Sequence, residues 1–265
     1  MGYDIQTPRR GETCFLLAVA VAVAFSGCGG GSSSGSDTGQ PCATLKIAGG
    51  QGCSSPPNSL VIVSSRSGQC TGTFITATHV LTAAHCFSGP SSVTVENEFL
   101  LASSQSVAIH PLYDPSSPSS PYDVAVIALS GAQQVSPVPL EESVPVAAGE
   151  EVVTYGFGID QDDRSWYDRV RSGEAPLKAT YLDVTSVSDA SVSTISNGSG
   201  DTCAGDSGGP LLRAAQDGSW GIVALTRSGP ASCVPYQPTE SQNTNVQFSS
   251  VSNFILAEAP GAVVR

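Results

Sequence analysis

The sequence predicts an all-β chain built as antiparallel barrels or a sandwich, and three observations point that way. Only 13% of the 265 residues are charged, while 28 Gly and 18 Pro accompany abundant Ser and Val, a balance suited to short β-branched strands and tight turns. Strand-like runs recur at short spacing along most of the chain. Between them lie clusters of Gly, Pro and Ser rather than segments of helical period. The net charge of −12 argues against electrostatic binding to nucleic acid or to an anionic membrane surface.

The first elements stand apart from the rest. Arg9 and Arg10 precede an apolar run at 14–25 that is too short to span a bilayer, so residues 1–28 read as an export signal. The Arg pair lacks the closely following apolar residues of a twin-arginine signal, which leaves the general secretory route. Phe25-Ser26-Gly27-Cys28 resembles a bacterial lipobox with Phe25 in place of the usual Leu, and that resemblance implies acylation of Cys28. Residues 29–40 are almost entirely Gly, Ser and Thr, which cannot bury apolar surface and form a flexible tether. A lipidated cysteine and a tether describe a domain held off a membrane by its anchor alone. Beyond the tether, strands are expected at 59–65, 71–76, 92–96, 106–110, 124–129, 151–157, 177–184, 209–213, 220–226 and 246–251.

The chemistry centres on Asp201-Thr202-Cys203-Ala204-Gly205-Asp206-Ser207-Gly208-Gly209-Pro210. Glycines around Ser207 allow positive φ and close approach of a substrate, and turn N–H groups can converge on an oxyanion. A serine hydroxyl is a weak nucleophile unless a base and an orienting group activate it. Gly205-Asp206-Ser207-Gly208-Gly209 also fits the nucleophile elbow of α/β-hydrolases, whose base follows the serine. The three histidines, His79, His85 and His110, all precede Ser207, which excludes that order and leaves His, Asp, Ser.

Thr82-Ala83-Ala84-His85-Cys86, then Asp123-Val124-Ala125-Val126-Ile127-Ala128-Leu129, then the Ser207 stretch resemble the three catalytic segments of trypsin- and chymotrypsin-like serine proteases. The resemblance spans roughly residues 47–258. It implies two six-stranded antiparallel β-barrels with the site in the cleft between them, joined near 137–149, and a short C-terminal helix at 251–259. It implies a serine endopeptidase in which Ser207 attacks a peptide carbonyl, His85 takes its proton and Asp123 orients His85, while the N–H groups of Gly205 and Ser207 hold the oxyanion. Protein or peptide substrates are the expected partners, the protease domain covers 47–265, and a monomer without cofactor or metal is expected. His79, ending a polar turn, and His110, before Pro111, are read as non-catalytic.

Further roles follow from the same resemblance. Lys46-Ile47-Ala48-Gly49-Gly50 looks like an activation site: a cut after Lys46 frees an Ile47 ammonium to pair with Asp206, and the uncut precursor is expected to be poorly active. Cys70 with Cys86, and Cys203 with Cys233, match family disulfides. Cys42 and Cys53 remain on either side of the cut, and a third bridge between them would keep the cleaved enzyme on its anchor. Asp201, six residues before Ser207, stands where trypsins keep an Asp that selects Arg or Lys before the scissile bond. Ala224-Leu225-Thr226 is taken as the counterpart of a Ser-Trp-Gly pocket wall, with Ala224 lacking a hydroxyl that supports the catalytic Asp and Thr226 narrowing the entrance. A second pocket glycine is expected to be replaced near Asn245. The competing reading is an inactive protease homologue kept as a binding module. The expected location is the bacterial cell envelope or the medium.

Overall fold

Twelve strands close into two six-stranded antiparallel barrels. The computed structural model describes residues 58–89, 92–159, 177–198, 200–215, 219–229 and 240–265. The expected signal and tether, Cys28, the Lys46–Ile47 bond, Cys42, Cys53 and Cys233 lie outside the described residues. The first barrel runs in the order β1 (Leu60–Ser65), β2 (Gly68–Phe74), β3 (His79–Thr82), β6 (Ala125–Leu129), β5 (Leu100–Ile109), β4 (Thr94–Asn97). The second runs β10 (Pro210–Ala214), β11 (Trp220–Ser228), β12 (Glu240–Asn245), β9 (Ser191–Ser196), β8 (Lys178–Val187), β7 (Glu151–Gly156). A 3-10 turn at Ala84–Cys86 and a helix α1 (Ser249–Glu258) complete the described elements.

The two-residue period of a strand explains why several runs are apolar on both faces. In β1, Val61 and Val63 point into the first barrel, while Leu60 and Ile62 join an apolar seam shared by both barrels. In β7, Val152 enters the second barrel, and Val153 with Tyr155 turns to the same seam. The helix α1 adds Val251 and Ile255 to it. Each such side chain contributes about 1.5–3 kcal/mol when fully buried, so the seam is a substantial source of adhesion between the barrels.

Three strands escaped the expected set. β3 is short and starts at His79, whose Nδ1 meets the Thr76 and Thr78 hydroxyls at 2.9 and 3.0 Å. β9 has little apolar content. β12 is Glu-Ser-Gln-Asn-Thr-Asn, with no apolar residue, and pairs with β11 and β9. Its buried amides replace apolar packing: Asn243 Nδ2 donates to Val192 O at 2.9 Å and Thr194 Oγ1 at 3.0 Å. The strand expected at 246–251 is therefore corrected. The chain leaves β12 at Asn245 and enters α1 at Ser249, close to the expected start of the C-terminal helix.

The connection at 137–149 is pinned along the second barrel, with Glu141 N–H donating to Ile222 O at 3.0 Å and Leu140 N–H to Val263 O at 2.9 Å. His110 is a packing residue at the base of α1. It stacks on Tyr122 at 4.6 Å and its Nε2 lies 3.2 Å from Ser250 O; burial lowers its pKa.

Candidate active site

His85 sits in the 3-10 turn after β3, on small residues Ala83 and Ala84 that are fully buried. Its Nδ1 lies 2.7 Å from Asp123 Oδ2, and its backbone N–H donates to Asp123 Oδ1 at 2.8 Å. Asp123 precedes β6 and is 3% exposed, so this two-point contact is what meets its buried carboxylate. A ring whose Nδ1–H is held by a carboxylate leaves Nε2 as the acceptor nitrogen. Thr244 Oγ1, from β12, donates to the Asp123 carbonyl at 3.2 Å and ties this segment to the second barrel.

The Ser207 loop is held against the His85 turn by bonds that cross between the barrels. Thr71, in β2, donates its N–H to Ser207 O at 2.8 Å and its hydroxyl to Gly205 O at 2.9 Å. The Thr71 hydroxyl also accepts the Phe157 N–H at 3.1 Å, and Thr71 O accepts the Thr82 hydroxyl at 2.8 Å. Gly208, at φ 79°, fits against the turn that leads to His85: a Cβ there would lie 2.6 Å from Thr71 O and 2.7 Å from Ala83 N. Only glycine satisfies both the backbone angle and the contact. Among the described residues, the N–H groups of Gly205 and Ser207 donate to no protein acceptor.

Two buried carboxylates flank the loop. Asp206 is fully buried, with Oδ1 accepting the Gly158 N–H at 2.8 Å and Oδ2 the Cys203 N–H at 2.7 Å. Burial pushes its carboxyl up to about 7, against the pull of the two N–H groups and the Lys178 charge, and Asp201 adds to the push. Asp201 is 4% exposed; its Oδ1 accepts the Thr202 N–H at 2.7 Å and the Ser241 hydroxyl at 3.1 Å. Its Oδ2 is buried with no protein partner among the described residues. Burial raises its pKa, and the bonds from Thr202 and Ser241 oppose the shift.

Cys70 and Cys86 are bonded, S–S 2.06 Å, and anchor the His85 turn to β2. With His85 they form a cluster of ligand-type atoms within 4.8 Å, but the two sulfurs are already bonded to each other. Cys203 is disulfide-bonded as well.

This arrangement has known relatives. The family sequence model described as Trypsin matches residues 47–244. Trypsin I-P1 of Gallus gallus is 34% identical over 215 residues, covering 70% of this chain and 82% of its own length. The chain belongs to the trypsin family. A CLIP domain-containing serine protease, B15 of Anopheles gambiae, is 26% identical over 71% of this chain, and this chain spans 59% of that relative. Among solved structures, neuropsin, a serine protease expressed in the limbic system of mouse brain, superposes with a TM-score of 0.59. The superposition covers 76% of this chain and 94% of neuropsin at 21% identity, and it shows the shared two-barrel fold.

As a trypsin-family serine endopeptidase, the chain departs from the expected pocket wall. Ala224 and Leu225 are fully buried, Ala224 in the second barrel's interior and Leu225 in the seam, so neither can line a substrate pocket. Thr226 is also interior, its hydroxyl 3.3 Å from that of Thr154. Asn245 is held by the Ser188 carbonyl at 2.8 Å rather than facing a pocket. β11 runs on to Ser228, and it is the exit of that strand that passes over the Asp201 loop: a Cβ on Gly229 would lie 2.6 Å from Thr202 Oγ1. The β11 side chain that reaches toward Asp123 is accordingly Arg227. It is buried, donates to Ser120 O at 3.2 Å and Ser191 Oγ at 3.4 Å, and its pKa is lowered by burial and raised by the Asp123 charge. Sequence reasoning passed over Arg227, Thr71 and Lys178. Thr71 shares β2 with Thr73 and carries no distinct signal, whereas Arg227 is the one charged residue of β11.

Proposed function

We propose that this protein is an exported trypsin-like endopeptidase that cleaves after Arg or Lys through His85, Asp123 and Ser207. The observation that carries it is the 2.7 Å contact of His85 Nδ1 with Asp123, set beside a Ser207 loop that Thr71 and Gly208 press against the His85 turn. With Nδ1 held, His85 Nε2 accepts the Ser207 proton as Oγ bonds to the carbonyl carbon. The carbonyl oxygen becomes the oxyanion, met by the N–H groups of Gly205 and Ser207. The imidazolium, steadied by Asp123, then protonates the leaving amine, and a water repeats the cycle on the acyl-enzyme.

Asp201 supports the specificity. A buried carboxylate with one oxygen satisfied and the other unmet is matched by a guanidinium or ammonium entering beneath Gly229. Cleavage after Lys46 would supply an Ile47 ammonium to Asp206, and the cation would settle that buried charge. The remaining parts of the proposal rest on sequence: residues 1–28 as signal, Cys28 as lipid anchor, 29–46 as tether and activation segment, 47–265 as the protease, a Cys203–Cys233 bridge, a Cys42–Cys53 bridge across the cut, and a monomer at the cell envelope or released from it. The test is labelling by a fluorophosphonate, which reacts only with an activated serine, followed by cleavage of a peptide library. Labelling lost in Ser207→Ala and cleavage after Arg and Lys are expected. A chain that takes no label would be a binding module instead.

A further inference from the structure

The carbonyls from Cys203 to Ser207 each accept a hydrogen bond, while the N–H groups of Gly205 and Ser207 donate to no protein acceptor among the described residues. Backbone N–H groups hold four of these carbonyls: Asp206 N–H meets Cys203 O at 3.0 Å, Ile159 meets Ala204 O at 3.0 Å, Gly209 meets Asp206 O at 2.9 Å, and Thr71 meets Ser207 O at 2.8 Å. The remaining one, Gly205 O, is held by a side chain, the Thr71 hydroxyl at 2.9 Å. Gly205 is the freest point of the loop, a glycine at φ 98°. The direction of its N–H is set by the two peptide planes that flank it. A peptide unit is planar and trans, so its C=O and N–H point opposite ways. Ile159 aims the first plane through Ala204 O. Thr71 holds the second through Gly205 O, with the Asp206 N–H of that plane on Cys203 O.

Thr71 is held in one orientation. It is fully buried in β2, a strand of the first barrel. Its hydroxyl accepts the Phe157 N–H at 3.1 Å, which leaves its own proton for Gly205 O. An N–H can only donate and a carbonyl only accept, so the hydroxyl cannot turn round. The methyl faces Gly209, where a Cβ would lie 3.3 Å from Thr71 Cγ2, and branching at Cβ keeps χ1 stiff. We propose that Thr71 is a positioning residue for the oxyanion hole: its hydroxyl, reaching over from the first barrel, tilts the Gly205–Asp206 peptide so that the Gly205 N–H meets the oxyanion. This rests on the protease reading above and makes transition-state binding in the second barrel depend on a side chain of the first. Thr71 acts through Gly205 and not on the substrate.

The test compares a peptidyl trifluoromethyl ketone with the matching carbinol. Ser207 Oγ bonds to the ketone carbon, its proton passes to His85, and the carbonyl electron pair becomes an oxyanion in the hole. The carbinol fills the same subsites and forms no such bond. In Thr71→Val, kcat and ketone affinity should fall together by roughly 10–100-fold, less than for outright loss of an oxyanion donor because the N–H is misaimed rather than removed. KM and carbinol affinity should stay within about threefold, as for an interaction made in the transition state alone. Thr71→Ser keeps the hydroxyl and should recover most of both losses. Thr71→Ala and Thr71→Ser differ by that hydroxyl alone and repeat the comparison if the valine variant does not fold. The inference is overturned if ketone and carbinol weaken alike, which would make Thr71 a support for the fold only. It is equally overturned if kcat and ketone affinity hold level without the hydroxyl. A wild type that forms no ketone adduct and takes no fluorophosphonate defeats the protease reading itself.

Discussion

Replacing Asp201 by Asn removes one charge and almost no volume, which makes it the sharpest probe of substrate choice. The amide side chain keeps an oxygen to accept the Thr202 N–H and the Ser241 hydroxyl, now at 2.7 and 3.1 Å from Oδ1, so the loop should hold its shape. What changes is the second position, Oδ2, which has no protein partner among the described residues and becomes an amide nitrogen that points two N–H donors at an incoming cation. Breaking a buried ion pair by removing one partner costs about 3–5 kcal/mol. That corresponds to a loss of roughly 10²–10⁴ in kcat/KM for substrates with Arg or Lys before the scissile bond. Matched peptides with Leu or Phe at that position bring no charge, and their kcat/KM should stay level or rise.

The pH dependence carries the same signature. Burial raises the Asp201 pKa, so the carboxylate is lost on acidification earlier than an ordinary Asp would be. The ratio of Arg to Leu cleavage should therefore fall with falling pH in the wild type and stay flat in Asp201→Asn. The assay is initial-rate hydrolysis of paired fluorogenic peptides. An unchanged Arg-to-Leu ratio in the variant would refute the assignment of Asp201 to the pocket.

Ser207→Ala and His85→Ala should each lower kcat by several orders of magnitude, and the double variant by little more, because the two act as one unit; single-turnover kinetics would show this. Asp206 has a folded-state value of about 7 against an ordinary 3.8, so it binds its proton more tightly when folded. Its contribution favours the fold at low pH and is lost as pH rises toward and through 7, up to roughly 4 kcal/mol in the uncut chain. Urea melts of Ser207→Ala with and without Asp206→Asn, at pH 4 and 8, would isolate that slope, and a difference that does not grow with pH would count against it. Thr71→Val keeps shape but removes the hydroxyl shared by Gly205 O and Phe157 N–H; about 2–4 kcal/mol of stability should go, as two buried backbone groups lose partners. Its kcat should fall further than that of a seam variant of equal stability loss, such as Ile62→Ala.

The order His85, Asp123, Ser207 was legible because each residue lies in a short stretch whose neighbours are fixed by the same local demand. Ala83 and Ala84 must be small, β6 must be apolar, and Gly208 must have no side chain. Strands with an apolar face could be read for the same reason. β12 could not, since its interior face is satisfied by amide and hydroxyl bonds that no hydropathy pattern reports. The pocket wall was displaced because strand ends are set by pairing. β11 stays paired with β12 as far as Ser228 opposite Gln242, which buries Ala224 and Thr226 in the barrel interior and Leu225 in the seam and leaves the residues after Thr226 to pass over Asp201. Lys178 went unnoticed for a related reason: its place opposite Gly156 exists only once β7 and β8 are in register.

That pairing bears on how a two-barrel protein keeps its reacting groups aligned. An apolar seam supplies much of the adhesion but little direction, since burial is nearly indifferent to a small sliding of one barrel on the other. Hydrogen bonds are sensitive to such a shift, and here several of them cross the seam beside the site: Thr71 to Ser207 and Gly205, Phe157 to Thr71, and Thr244 to the Asp123 carbonyl. Asp206 acts one layer further in, beneath the Ser207 loop, through the Gly158 and Cys203 N–H groups. The position of Ser207 relative to His85 is thus fixed across the seam, while the shape of the loop that presents its N–H groups is fixed from below. A protein organised in this way can lose loop shape without losing the His85–Asp123 contact.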